Sequence, residues 1–294
     1  MEKMSSYSFV AAVIAVGMAF VLYLAYVLSG LRAARMQTAG MAGGTGMLGL
    51  VIGPRTATFG RYGSILGWLG FTFLTAWLVF RTIATGHGPF ANMYEFSVAF
   101  AWSILGAYCW FERGYQQRTL GLLVLPLALG MMIHAATIPA TIEPLVPALQ
   151  NNLLLTVHVA VAIVAYGSFS IAFGAALLFL IQPAGGRLGL PKPAVLDEIA
   201  YKAVVIGFPF LAATLVLGAI WADVAWGRYW GWDPKETASL VTWLIYATYL
   251  HARVVRGWTG RRAAVLLLIG FAATLFTYFG NYFFSGLHSY GGLG

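Results

Sequence analysis

The chain has 294 residues, of which 60% are hydrophobic and 9% charged, with a formal net charge of +8. Soluble domains carry about 25% charged residues, so these few charges exclude a soluble enzyme, a nucleic-acid module and a disordered tail. The single cysteine, Cys109, leaves no internal disulfide, no redox pair and no thiolate metal cluster.

Eight windows hold the roughly 20 mostly apolar residues that a membrane helix needs. In chain order they are 8–31, 63–83, 94–111, 120–138, 153–181, 204–225, 237–255 and 263–284. None shows period-two alternation, and lipid admits only helices or closed barrels as spanning structures, so each reads as a helix. The first window has no small-residue cleavage site after a short apolar core and reads as a retained helix. The expected fold class is all-α: a polytopic membrane helix bundle of about eight transmembrane helices, one integral-membrane domain over residues 1–294.

An even number of spans places both termini on one side. One set of connections carries Arg32, Arg35, Arg55, Arg61, Arg113, Arg118, Arg187, Lys192, Lys202, Arg253, Arg256, Arg261 and Arg262. The other carries Lys3, Arg81, Arg228 and Lys235. Basic residues favour the cytoplasmic side, so thirteen against four assigns the first set to the cytoplasm and both termini to the outer, periplasmic-type side. Residues 32–62 are rich in glycine (Gly40, Gly43, Gly44, Gly46, Gly49) and read as a flexible cytoplasmic connection. Residues 139–152 carry Pro139, Pro144 and Pro147 outside. Residues 183–203 include Leu196-Asp197-Glu198-Ile199, read as a short interfacial helix.

The sharpest local feature is residues 221–236, on the outer side between the sixth and seventh windows. Trp221, Trp226, Trp230, Trp232 and Tyr229 fall within twelve residues. Such residues belong to the aromatic belt at a membrane interface, but four tryptophans in one connection also make a platform for a large flat apolar ligand. Asp233-Pro234-Lys235-Glu236 has the spacing of a capped helix start, with Asp at N-cap, Pro at N1 and Glu at N3. That gives Asp233 and Glu236 a structural role before any acid–base one.

An ionisable group inside a membrane is a functional candidate by default, which directs attention to the five histidines. His158 lies about a turn into the fifth window, at its outer end, and His288 follows the eighth. Two outer histidines flanking a tryptophan-rich loop point to axial ligation of a haem iron, since haem is flat, apolar and bound by imidazole. Zinc would ask for three or four close ligands, usually with carboxylate or thiolate among them. His251 differs, lying 14 residues into the seventh window, about 21 Å down at 1.5 Å per residue, in the inner part of the bilayer. His134 reads as a hydrogen-bonded interfacial residue.

Trp226-Gly-Arg228-Tyr229-Trp230-Gly-Trp232-Asp233-Pro234-Lys235-Glu236, followed by Trp243 and Tyr249-Leu-His251-Ala-Arg253, resembles the tryptophan-rich "WWD" signature of the CcsA (ResC-like) cytochrome c biogenesis proteins. Gly86-His87-Gly-Pro89-Phe-Ala-Asn92-Met-Tyr94-Glu95 resembles a second motif of that family. The stretch from Leu196-Asp197 through Gly207-Phe-Pro209 to Trp221-Ala222, and the terminal Gly286-Leu-His288-Ser-Tyr290-Gly291, resemble two more. These motifs span residues 86–291, while the first 85 residues fit only in having two spans. Within the superfamily, CcmC-like chains are shorter and differ after the tryptophans, and CcmF-like chains are about twice as long.

The resemblance implies a subunit of a cytochrome c synthase, acting with a CcsB/ResB-like membrane partner. Such a pair carries haem across the membrane and presents it for thioether attachment to the CxxCH cysteines of an apocytochrome c. It implies haem b as cofactor, in two sites, the inner one shared with the partner. Carried over by motif, His158 and His288 match the outer axial ligands and His251 the membrane-embedded one. Trp221, Trp226, Arg228, Tyr229, Trp230, Trp232 and Asp233 match the haem-presenting loop. Arg228, Lys235 and Arg81 are candidate partners for haem propionates. The resemblance implies the bacterial cytoplasmic membrane and also allows a thylakoid-type one. No nucleic acid is expected. The competing readings are a haem exporter without ligation chemistry, CcmC-like, and an electron-transfer haem protein. The last would place paired histidines at facing depths, whereas His251 has no partner at its depth in this chain.

Overall fold

The computed structural model describes residues 1–40, 52–150, 152–182 and 190–288, excepting the side chains of residues 34–40, 152 and 281. Four features named above lie outside the described residues: glycines 43, 44, 46 and 49, the side chain of Arg35, Arg187, and residues 289–291 of the terminal motif.

Every regular element among the described residues is helical. In order they are α1 (Glu2–Gly40), α2 (Pro54–Thr85), α3 (Met93–Tyr115), α4 (Gly121–Ala136), α5 (Asn152–Ile181), α6 (Pro193–Trp226), α7 (Pro234–Val255) and α8 (Arg261–Phe279). Single 3₁₀ turns sit at Arg118–Leu120, Pro147–Leu149 and Gly280–Tyr282. Each of the eight apolar windows falls on one helix. Proline opens α2, α6 and α7 at the first helical position, where its missing N–H costs nothing. Gly86 and Gly227 close α2 and α6 in the left-handed conformation, which only glycine adopts freely.

Among the described residues, six helices are long and apolar enough to cross a membrane; α3 and α7 are not among them. The latter two carry buried or capping charges instead: Glu95 and Glu112 in α3, Glu236 and Arg253 in α7. Large apolar side chains such as Val10, Ile14, Val21, Val216 and Ile269 are half exposed or more. A water-soluble surface would not tolerate so many, whereas hydrocarbon solvates them. The chain is a multi-pass membrane protein.

Helices α1 and α2 pack along their length, as do α5 and α6. The buried face of α2 is a row of small residues, Gly60, Gly63, Gly67 and Gly70. It lets Tyr23, Tyr26 and Val16 of α1 come close to its backbone. Polar bolts sit at the ends of the bundle. Glu112 accepts from Tyr23 Oη at 2.7 Å and from Ser64, with Arg118 Nε 3.5 Å away. Asp197 pairs with Arg253 at 2.5 Å and accepts from the Gly260 amide. The short interfacial helix read into residues 183–203 is not a separate element. Asp197 and Glu198 lie in the first turns of one continuous 34-residue α6, which at 1.5 Å per residue is about 51 Å long and overshoots the hydrocarbon layer.

Candidate functional site

Three segments distant in sequence meet around one cavity. The first is the N-terminal end of α5, which presents Leu155, His158, Val159, Ala162 and Tyr166 along one face, the i, i+3/i+4, i+7 spacing of a helix. The second is the end of α6 with the loop that leads into α7, contributing Gly218, Trp221, Tyr229, Trp230 and Lys235. The third is His288, beyond α8. Phe90 and Phe96, from the loop before α3 and its first turns, complete the wall. The empty space is about 1010 Å³, counting the solvent at its open mouth.

The sequence dictates how the loop is held. Gly227 turns the chain out of α6, and Trp232 takes a left-handed φ of 56°, a conformation that costs a non-glycine residue on the order of 1 kcal/mol or more. Two groups hold this turn. Glu236 Oε2 accepts from the amides of Gly231 (2.8 Å) and Asp233 (3.1 Å). Asp233 Oδ1 accepts from the Lys235 amide at 2.9 Å, completing the capping box of α7.

Asp233 does more than cap. Its Oδ2 accepts from the Leu287 amide at 2.6 Å, and its Oδ1 from His288 Nδ1 at 2.8 Å. A Cβ on residue 286 would run into Asp233 Oδ2, so glycine there leaves room for the contact. Burial works against the Asp233 charge, but the His288 hydrogen bond and the two backbone amides hold its carboxyl down to about 2. Burial pushes the His288 imidazole below its usual range, against the pull of Asp233. In this pair the Asp233 carboxylate accepts from the His288 Nδ1–H.

His158 is fixed in the same sense. Its Nδ1 lies 3.0 Å from the Thr214 carbonyl, which can only accept, so Nδ1 carries the proton. In both histidines Nε2 is then the nitrogen with the lone pair. The ring of His158 rests against α6 at Gly218, where a Cβ would stand 2.7 Å from Cε1. Trp221 touches both histidines, stacked on His158 at 6.2 Å and tilted against His288 at 5.7 Å. Trp226 packs edge-on against Trp221 and His288. Trp221 is 1% exposed, and its Nε1 has no hydrogen-bond partner among the described residues.

The remaining candidates are spread more widely. Trp230 and Tyr229 line the cavity, whereas Trp232 stands edge-on to Trp230 and is 70% exposed. Arg228 is exposed, beside Gly231. Lys235 lines the cavity, with Nζ 5.7 Å from the centre of the Phe96 ring. Arg81 is 1% exposed and fully engaged: Nε meets Glu95 Oε1 at 2.7 Å, and the Nη atoms donate to the Ala140 and Thr141 carbonyls. His251 is on an exposed face of α7, 17 residues after Pro234, about 26 Å further along the helix. His134 packs among Tyr278, Phe279 and Tyr282. His87 Nδ1 lies 2.8 Å from the Gly88 carbonyl.

Comparison with known proteins agrees with this architecture. A family described as "Cytochrome C assembly protein" matches residues 90–288. "Cytochrome c biogenesis protein CcsA" of Gloeobacter violaceus is 35% identical, over 75% of this chain and 83% of that protein. The CcsA of Synechocystis sp. is also 35% identical, over 74% and 84%. Among solved structures, "Cytochrome c Heme Lyase CcmF" superposes with a TM-score of 0.58 at 21% identity. That superposition covers 91% of this chain but 46% of CcmF, so the chain spans about half the length of that neighbour, and the likeness is one of fold.

Proposed function

This chain belongs to the cytochrome c assembly protein family, and we propose that it is the haem-handling subunit of a cytochrome c synthase. In this reading all eight helices cross the membrane, with both termini and the 221–236 loop outside and the basic connections in the cytoplasm. The membrane is the bacterial cytoplasmic membrane. Haem b enters from the cytoplasmic side, is presented at the outer face, and is joined there to the CxxCH thiols of an apocytochrome c.

One observation carries the proposal. Two imidazoles line one cavity, each with Nδ1 against an acceptor, the Thr214 carbonyl for His158 and the Asp233 carboxylate for His288. A metal-ligating histidine characteristically donates its other N–H in this way, to a carbonyl or a carboxylate. The aromatic surround suits a flat apolar macrocycle, and Trp221, whose indole N–H has no hydrogen-bond partner among the described residues, packs against both imidazoles. The donor set therefore fits a bis-histidine haem.

In this reading His158 and His288 hold the iron and fix the plane of the macrocycle. Trp221, Trp226, Trp230 and Tyr229 wall it, and Lys235 meets a propionate. Haem supplies the vinyl groups. Each cysteine S–H adds across one vinyl double bond, the carbon–sulfur bond forming on one carbon and the proton ending on the other, so no oxidant is consumed. The thiols come from the apocytochrome, since Cys109 is buried in the bundle core. What the protein contributes is position, which is worth several orders of magnitude in rate for two tethered reactants.

His251 belongs to a second haem site in this reading. It is exposed on α7, on a stripe with Val241, Leu244, Thr248 and Val255, and too deep to share the outer iron. A histidine from a transmembrane helix of a CcsB/ResB-like partner supplies the second ligand.

The test of the outer site is haem recovery and cytochrome c maturation in His158→Ala, His288→Ala and the double variant. Each single change is expected to lower haem recovered per folded protein and to stop maturation. Normal maturation by a membrane-inserted double variant would overturn the assignment.

A further inference from the structure

We propose that Asp233 is the positioning residue of the outer site, orienting His288 and raising its basicity as an iron ligand in addition to capping α7. The inference rests on the reading of His288 as an axial ligand given above.

The geometry separates this role from plain capping. A cap needs one side-chain oxygen on the first-turn amides, and Asp233 Oδ1 provides that at Lys235. The rest of the carboxylate is spent on the other end of the domain. Oδ1 also accepts from His288 Nδ1 at 2.8 Å, and Oδ2 accepts from the Leu287 amide at 2.6 Å. The backbone leading to the histidine and the imidazole itself are thus gripped by one group that is 6% exposed. His288 is not on a helix; it follows the Gly280–Tyr282 turn in an irregular segment. The two bonds from Asp233 fix the backbone before His288 and its Nδ1, while Trp221 and Trp226 pack against the ring.

The chemical consequence follows from the charge. A carboxylate accepting from Nδ1–H increases electron density at Nε2 and fixes the tautomer that has its lone pair there. His158 has a neutral carbonyl, Thr214, in the same place. The two axial ligands are therefore unequal, with the stronger donor on the His288 side. An unequal pair suits a site that must both hold haem and release it once attached: His158 is the ligand that yields first.

Asp233→Asn tests this, because asparagine caps a helix as well as aspartate while removing the charge behind His288. The protein is purified from membranes at full length with the haem it carries. The expected result is normal protein yield, haem affinity about 10- to 100-fold weaker, the usual cost of losing such a supporting partner, and a more positive haem reduction potential. Thr214 contributes only a backbone carbonyl, so no side-chain change there should imitate the effect. If Asp233→Asn fails to accumulate, Asp233→Ser replaces it: serine also caps but is too short to reach His288. Wild-type affinity and potential in the variant that folds would overturn the proposal. His288→Ala, measured alongside, distinguishes the two levels. If it keeps the wild-type haem spectrum, the ligand assignment itself fails. If it loses that spectrum while Asp233→Asn is indistinguishable from wild type, only the positioning role fails.

Discussion

Arg81 is the residue whose replacement should cost the fold most. It lies near the C-terminal end of α2, with its side chain 2% exposed and that of Glu95 1% exposed. Nε meets Glu95 Oε1 at 2.7 Å, and the Nη atoms donate to Ala140 at 2.8 Å and Thr141 at 3.2 Å. Glu95 Oε2 in turn accepts from the Ala91 amide at 2.9 Å. One guanidinium therefore ties the 137–146 connection to the start of α3, next to Phe90 and Phe96 of the cavity wall. Arg81→Met leaves Glu95 buried without its counter-charge and two carbonyls without donors. Breaking a buried pair from one side costs about 3–5 kcal/mol. At about 2 °C or more per kcal/mol for a chain of this size, the apparent melting midpoint in detergent should fall by at least about 6 °C. The double variant Arg81→Met/Glu95→Leu should be less destabilised than the sum of the single ones, because no charge is then stranded. Thermal unfolding of the four proteins, followed by tryptophan fluorescence, measures this. Wild-type melting of Arg81→Met, or simple additivity in the double variant, would refute the reasoning.

Two further expectations follow from the site. Trp230→Ala should lower haem retained per folded protein, and Trp232→Ala should do so less, because Trp230 lines the cavity and Trp232 is 70% exposed; equal losses of haem and protein in both would favour a purely interfacial role for the loop. His251→Ala should remove one haem from the complex with the partner while leaving the outer haem in place; an unchanged haem count and ligand-field spectrum would mean that no site is built on this residue.

The helices were legible in the sequence because membrane burial makes their signal coarse. Runs of about 20 apolar residues cannot be hidden, and each window maps onto a helix. The ends were less legible, since polar first and last turns do not look like membrane. Residues 193–203 illustrate this: Asp197 and Glu198 suggested a surface helix, but their partners Arg253 and Tyr115 hold them against the bundle, and α6 runs on unbroken. The Asn92-Met-Tyr94-Glu95 stretch stands out in the sequence, and half of its explanation is readable there. Its Asn-x-x-Glu spacing is that of a capped helix start, and Asn92 does accept from the Glu95 amide at 2.9 Å. The other half, the ion pair with Arg81, depends on α2 and α3 meeting. Among the cavity residues, Leu155, Val159, Ala162 and Tyr166 could have been found from His158 by helical spacing alone. Gly218 could not, because its role is to make room for a ring on another helix.

The tryptophan-rich loop posed a choice between an interface belt and a ligand platform, and its geometry divides that choice residue by residue. Trp232 is 70% exposed, as an interfacial side chain is, while Trp221 is almost wholly buried and packs against both histidines. A sequence places both in one aromatic run and cannot separate them, because the difference is made by Gly227, by the left-handed turn at Trp232 and by the two carboxylates that hold it. Asp233 is the sharper case. From sequence it is a helix cap, and that reading is correct as far as it goes. Its second partner, His288, is 55 residues away, beyond the reach of any local rule. One carboxylate thereby makes the start of α7 and the placement of His288 a single event. The cavity has its walls only where the end of α6, the start of α7 and the segment after α8 come together.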